Sequence, residues 1–338
     1  MFGWINDGLY SILNWIYSWV GNWGWAIVVF TVMVRLVLTP LDIKSRVSMR
    51  KTTKLQPKMQ ELQKKYANDK AKLNQKTSEL YKKEHINPLS SCLPLLLTWP
   101  ILIAVFGAMR TVANRELLEQ VGQILTGDAA KVNLQQWLWI KNLWMPDNLF
   151  SPAYPDLNTL KAIGADQWLN WFHGLQESGL PQVLAEMNLT DASFSGDQFS
   201  TTLQAIIDAM KGMGFYSEAL TTIPGYTIPL INWSVPHLPN GLMLLPVLSA
   251  VTQIVMTKIM SAGQPQQPAA NGQPNTGKFM QWFFPIFSLV ICFGYSAAFA
   301  LYWVSGNIVS MGQTFAINKY LDNKEKKSAP VAGEGSVR

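Results

Sequence analysis

Residues 21–41, GNWGWAIVVFTVMVRLVLTPL, decide the fold. They are apolar but for a single Arg35, and they are long enough to cross a bilayer core of roughly 30 Å as a helix of about 20 residues. Uncharged sequence reaches back from Val34 to Gly8. Three more regions repeat the pattern. Residues 85–109 lie uncharged between Glu84 and Arg110, residues 219–257 are uncharged and strongly apolar from Gly241 to Met260, and residues 279–318 are uncharged between Lys278 and Lys319. The last is too long for one helix, and Gly294, Tyr295 and Ser296 offer a turn that makes two. The expectation is therefore an all-α membrane protein with spans at 21–41, 88–109, 241–260, 280–296 and 297–318.

Composition agrees. Of the 338 residues 49% are hydrophobic and only 14% charged, with 14 Trp and 14 Met. Cys92 and Cys292 both fall in expected spans, which argues for small packed hydrophobes and against a disulfide framework or zinc site. No Lys or Arg precedes Arg35, so no removable secretory signal is expected, and the lack of an Arg-rich transit segment favours a bacterial plasma membrane over an organelle.

Charge sets the orientation. Lys and Arg collect in short cytoplasmic loops. Segment 42–87 carries Lys44, Arg46, Arg50, Lys51, Lys54, Lys58 and seven further bases against Asp42, Glu61, Asp69, Glu79 and Glu84. It reads as a cytoplasmic basic hairpin of two amphipathic helices: Leu55, Met59, Leu62 and Tyr66 share one helix face, and Asn68-Asp69 breaks the pattern. Segment 110–240, with Asp147, Asp156, Glu186 and Asp208 among an excess of acids, belongs outside; helix-like pieces at 167–176 and 199–213 suggest a small cap. The N-terminus is then outside and the tail 319–338, with Lys319, Lys324, Lys326 and Lys327, inside. Residues 1–20, where Trp4, Leu9, Ile12, Trp15, Ile16 and Trp19 recur at helical spacing, read as an outer interfacial helix. Residues 261–279, rich in Gln, Pro and Gly, read as a cytoplasmic linker. The net charge of +6 sits beside the membrane, where it meets anionic lipid.

Arg35 is the residue to explain. A guanidinium inside a bilayer costs at least a few kcal/mol, and such residues face water, a partner or a functional cavity. No acidic residue lies in any expected span. Thr31, Arg35 and Thr39 are spaced by four and share a face. Ser91, Thr98, Thr252, Gln253, Asn307 and Gln313 add polar groups on other spans. The competing readings are snorkelling of Arg35 to the interface and simple helix–helix hydrogen bonding by the lone polar residues. No HExxH, GxSxG, P-loop or acidic pair within a span is present, so neither an enzyme nor a cofactor is expected.

Several stretches together are distinctive: VGNWGWAIVVFTVMVRLVLTPL, LQPKMQELQKKYANDKAKLNQKTSELYKKEHINPLSSCLPLLLTWPILIAVF, LPVLSAVTQ and ALYWVSGNIVSMGQT. In this order they closely resemble the core of the YidC family of membrane-protein insertases, over residues 1–109 and 241–327. The resemblance implies five helices around a hydrophilic groove open to the cytoplasm and lipid and closed outside, serving a membrane-protein insertase and assembly chaperone. Arg35 matches the family's groove arginine, with Thr31 on its face. Thr98 stands where many members carry Gln, and Gln253 and Gln313 fall near the groove. A client's hydrophilic tail enters the groove and its apolar segment leaves along the third and fifth spans; transfer to lipid, at about 25 cal/mol per Å², supplies the drive. Partners implied are newly made membrane proteins, lipid, the Sec translocon and the ribosome. The sequence looks most like the five-span Gram-positive type, departing from it in a long segment 110–240, a short tail and no lipoprotein signal. The alternative is an anion transporter or channel using Arg35 as its binding site, although the internal repeats common in transporters are not seen.

Overall fold

The computed structural model describes residues 3–84, 93–228, 233–261 and 276–328, with the side chains of 3–6, 70, 93–99, 101–102, 225–228, 233, 261, 276–280 and 328 left aside. His85, Ser91, Cys92, the stretch 262–275 of the expected linker and the tail beyond Ser328 lie outside the described residues, as do the side chains of Trp4 and Thr98.

Helices dominate. In chain order they are α1 (Gly3–Val20), α2 (Trp23–Lys54), α3 (Gln56–Lys65), α4 (Lys70–Lys83), α5 (Leu93–Ile124), α6 (Leu157–Lys161), α7 (Ala165–Ser178), α8 (Gln182–Glu186), α9 (Gln198–Gly212) and α10 (Gly214–Leu220). A hairpin, β1 (Thr222–Ile228) and β2 (Trp233–Pro236), precedes α11 (Leu244–Ser261), α12 (Thr276–Gly294) and α13 (Ala297–Ser328). The helix-like pieces read at 167–176 and 199–213 are α7 and α9. The hairpin was not foreseen: it is short, antiparallel, and broken by an irregularity between Thr222 and Thr227.

Among the described residues, α2 alone is both long and apolar enough to cross a membrane, while Leu244–Met260 and Gln281–Gly294 are shorter apolar helices. Their surfaces are apolar as well: Leu36, Val37, Val247, Val251, Ile286 and Val290 are all exposed. An exposed apolar surface of this extent needs a non-aqueous neighbour.

The chain forms two compact units. The first comprises Met1–Phe30, Ile103–Val251 and Phe284–Val304. Its core holds Ile27, Phe30, Val121, Leu143, Trp144, Trp168, Phe172 and Ile206, each at most 1–2% exposed. Gly21, at φ +70°, ends α1, and Asn22 Oδ1 accepts from Trp25 N at 3.2 Å to start α2. Gly24 is required there: a Cβ would fall 2.1 Å from the Trp137 ring. The second unit comprises Thr31–Leu102, Thr252–Phe283 and Ser305–Arg338. In it α3 and α4 pair as a hairpin. Asp69 caps α4 by accepting from Lys72 N at 2.9 Å, and Lys58 reaches Glu84 at 2.8 Å.

Candidate functional site

The site grows from the face of α2 that carries Thr31, Arg35 and Thr39. The apolar stretch stops at Leu41, but the helix continues to Lys54. The same face therefore continues through Asp42, Arg46 and Arg50, at spacings of three and four. Pro40 is accommodated inside the helix.

The partner of this face is α13. Gln313 Nε2 donates to the Arg35 carbonyl at 2.9 Å and to Thr39 Oγ1 at 2.8 Å, and Thr39 Oγ1 donates to the Arg35 carbonyl at 3.1 Å. Gly306 lets the guanidinium lie against the α13 backbone, since a Cβ there would sit 3.2 Å from Arg35 Nη2 and 3.8 Å from Thr31 Cγ2. Further along, Arg46 donates to Thr314 Oγ1, and Arg50 donates to the Asn318 carbonyl at 3.1 Å and pairs with Asp322 at 2.7 Å. Lys54 meets Glu325 at 3.3 Å.

What is unpaired in this seam matters as much. Arg35 is half-buried, and among the described residues its guanidinium makes no hydrogen bond or ion pair. Asp42 lies within electrostatic range of both Arg35 and Arg46 without bonding to Arg35. Ser310 Oγ and Gln313 Oε1 are buried and unpartnered. Buried polar atoms normally find partners, so a cluster that does not is a place where water or a ligand can bind.

The expected site residues thus divide. Thr31, Arg35 and Gln313 come together. The Gln253 side chain makes no hydrogen bond to this group among the described residues. Its neighbour Thr252 instead accepts from Asn307 Nδ2 at 3.0 Å, a buried helix–helix bond of the kind weighed for the lone polar residues. The Thr98 side chain lies outside the described residues. Asp42, Gly306 and Ser310 were missed. Asp42 and Ser310 carried a signal in their spacing from Arg35 and Gln313, whereas nothing in the sequence pairs Gly306 with Arg35.

The first unit holds a second polar cluster, built on Asn142, Asp147 and Asn148 in the segment 142–148, which closes three helix ends. Asp147, fully buried, accepts from Leu242 N (2.9 Å), Leu245 N (2.7 Å) and Trp139 Nε1 (3.2 Å) at the start of α11. Asn148 Nδ2 donates to the Phe293 carbonyl at the end of α12, at 3.0 Å. The Leu143 and Met145 carbonyls accept from Ala298 N (2.8 Å) and Ala297 N (2.9 Å), the first amides of α13. Helix ends leave such groups without internal partners, and here the chain itself supplies them. Asn240 locks the segment by donating to the carbonyls of Asn142, Met145 and Pro146 at 2.9–3.0 Å.

Comparison with known proteins agrees with the motifs. The family model described as "60Kd inner membrane protein" matches residues 15–325. A Helicobacter pylori protein named membrane protein insertase YidC is 40% identical over 144 residues, which is 42% of this chain and 23% of that protein. The Wolinella succinogenes protein of the same name is 50% identical over 98 residues, covering 29% of this chain and 18% of the relative. That of Thioalkalivibrio sulfidiphilus is 39% identical over 151 residues, covering 44% and 24%. The chain thus matches about a quarter or less of the length of these relatives. With the family model covering almost all of it, this helical chain belongs to the 60Kd inner membrane protein family, the YidC family of bacterial inner-membrane proteins.

Proposed function

We propose that this chain is a membrane-protein insertase and assembly chaperone for newly made membrane proteins. In this reading five helices cross the membrane, with the N-terminus outside, the hairpin α3–α4 and the C-terminus in the cytoplasm, and segment 110–240 outside. The polar seam of α2 and α13 is part of a groove that admits a client's hydrophilic tail, while the apolar segment passes into lipid. The name carried by the relatives supports the activity. The observation that carries the mechanism is the unpaired, half-buried guanidinium of Arg35 beside the unpartnered Ser310 Oγ and Gln313 Oε1.

The chemistry follows from those groups. An acidic or polar tail gains a charge-assisted hydrogen bond from a guanidinium that has surrendered part of its hydration without gaining a partner. Asp42 is the nearest competitor for that charge, and it makes no direct bond to Arg35, so the guanidinium stays open to an incoming group. Apolar burial in lipid supplies the net drive, and the polar seam lowers the barrier for the tail. The Sec translocon and the ribosome are further partners in this reading.

The test is complementation. The chain is expressed in bacteria depleted of their own insertase, and protease accessibility reports whether the outer tail of a short single-span client has crossed. Wild type should restore tail exposure, and Arg35→Ala should lower it most for clients with acidic tails. If stable, membrane-embedded wild type restores nothing, insertase activity is refuted for these clients. If Arg35→Ala inserts as well as wild type, the charge has no role in the mechanism. Anion flux through vesicles containing the protein, lost in the same variant, would point to the transport alternative.

A further inference from the structure

A cavity of about 380 Å³ opens in the first unit between α1, the start of α2 and the second half of α5. That is within the range of small-molecule sites, and it is separate from the α2–α13 seam. Its chemistry is unusual for a surface dent. Tyr10, Asn14 and Tyr17 line it from one face of α1 at helical spacing, and Glu116 and Glu119 line it from one face of α5. Arg115 stands at the rim, with Nη1 donating to Tyr10 OH at 2.6 Å. Trp23, only 3% exposed, completes the wall, and its indole Nε1 has no hydrogen-bond partner. It lies near enough to the Glu116 carboxylate to favour the anion, yet completes no bond with it.

The Glu116 anion, lining the cavity beside Glu119, would be stabilised by a bound cation. Burial, reinforced by the neighbouring Glu119 charge, raises its carboxyl to about 7, with Trp23, Arg115 and Gln135 opposing. The titratable and charged groups around it are Tyr10 and Tyr17 from α1 and Arg115 and Glu119 from α5; the start of α2 and the segment 133–135 bring only Trp23, Asn133 and Gln135. A ligand that satisfies the whole wall carries an ammonium for Glu116 and Glu119 and, a few bonds away, an oxygen anion for the Trp23 N–H and the remaining donors of Arg115.

We propose that this cavity binds a 2-aminoethyl phosphate group, either as the headgroup of an ethanolamine phospholipid or as free phosphoethanolamine. The ammonium pairs with Glu116, with Glu119 at the mouth, and the phosphate oxygens take Trp23 Nε1 and Arg115. The lipid source rests on reading α1 as lying at the membrane surface. On the helix face opposite Tyr10 and Tyr17, Trp15 and Trp19 are 59% and 78% exposed, suited to the headgroup layer. The free source does not need that reading, and neither depends on insertase activity.

The test uses the full chain in nanodiscs of phosphatidylcholine and phosphatidylglycerol, which carry no primary amine. In one arm, phosphoethanolamine is titrated by calorimetry against phosphocholine. In the other, ethanolamine lipid is doped into the discs and native mass spectrometry counts what the protein retains. Binding in the first arm identifies the free compound and selective retention in the second identifies the lipid; both support the site. Glu116→Gln should weaken binding about tenfold or more, Glu119→Gln and Trp23→Phe severalfold, and Arg50→Ala, which does not line the cavity, not at all. Affinity should rise as pH passes 7 and Glu116 ionises, a response that a purely structural role would not give. Thermal melts confirm that each variant is folded. The proposal is overturned if neither arm distinguishes ethanolamine from choline, or if folded Glu116→Gln and Glu119→Gln both bind like wild type.

Discussion

Replacing Asp147 with Ala should loosen the first unit by removing the cap of α11. The carboxylate is fully buried and takes three donors: two backbone amides, at 2.7 and 2.9 Å, and the Trp139 indole at 3.2 Å. A hydrogen bond to a charged group is worth about 1.5–3 kcal/mol, and a donor left unsatisfied in the interior costs about 1–3 kcal/mol. Simple addition over three bonds overshoots, because the variant no longer has to bury a carboxylate and water can enter the space. Three neutral donors left without an acceptor, at about 1–3 kcal/mol each before water enters, put the loss at about 3–5 kcal/mol. For a chain of 338 residues, at about 2.1 cal/mol/K of unfolding entropy per residue, that lowers the melting temperature by roughly 4–7 °C. The assay is retention of a monodisperse elution peak in detergent after stepwise heating, with hydrogen exchange at Leu242 and Leu245 as the local readout. Asp147→Asn keeps one acceptor and should fall between. Gly241→Ala attacks the same cap, since its Cβ would lie 2.0 Å from Asp147 Oδ1, so the double variant should lose less than the sum of the two. If Asp147→Ala melts within about 1 °C of wild type with the Leu245 amide still protected, the capping argument is wrong.

Gly306→Val should push the Arg35 guanidinium off α13, because even a Cβ would stand 3.2 Å from Nη2; insertion of an acidic-tailed client should drop severalfold in the protease assay at unchanged protein level, with Gly306→Ala milder. Arg50→Ala removes the 2.7 Å pair with Asp322 and the bond to the Asn318 carbonyl, and since Arg50 is only 24% exposed while Asp322 is open to solvent, the loss should be about 1 kcal/mol and shrink at high salt in paired melts. Glu116 supplies a pH dependence: its carboxyl is raised from 4.5 to about 7, so the folded chain holds the proton more tightly, and stability is full below 4.5 and declines as pH climbs towards 7. Glu116→Gln should remove that decline, melting higher than wild type above pH 7 and alike below 4.5; parallel slopes across that window would contradict the assignment.

How legible these features were depends on the range of the interactions behind them. The helix through residues 21–41 was plain because hydrocarbon-length apolar runs have few other uses. The shared face of Thr31, Arg35 and Thr39 was plain because helical spacing is local. The partner on α13 was not, because Gln313 meets Arg35 across 278 residues of sequence and Arg46 meets Thr314 across 268. Gln253 looked equivalent to Gln313 in sequence, and the bonds of Gln313 to the Arg35 carbonyl and Thr39 are visible only in the folded chain. Segment 110–240 was hardest. Its order rests on side chains that cap distant helix ends and on non-glycine residues in the left-handed region, Gln135, Leu138 and Asn188, which no local pattern announces.

Those distant caps bear on what the segment does. Loop residues 142–148 form no regular element, yet beside burying Leu143, Trp144 and Met145 they hold the amides or carbonyls of three helices whose ends would otherwise need water. Every side-chain polar group of Asn142, Asp147 and Asn148 has a partner. The α2–α13 seam is built on the opposite plan: Ser310 Oγ and Gln313 Oε1 are buried without partners, and the half-buried Arg35 guanidinium has none among the described residues. A satisfied network fixes one arrangement, whereas an unsatisfied one keeps binding capacity in reserve. On that ground we read the long segment as a structural clamp on helix ends, and under the proposed function chemistry with a client belongs to the seam. Cap variants such as Asp147→Ala should then lose heat tolerance before insertion at permissive temperature. Gly306→Val should do the reverse, losing insertion with little change in melting, and the two effects invert together if the division of roles is wrong.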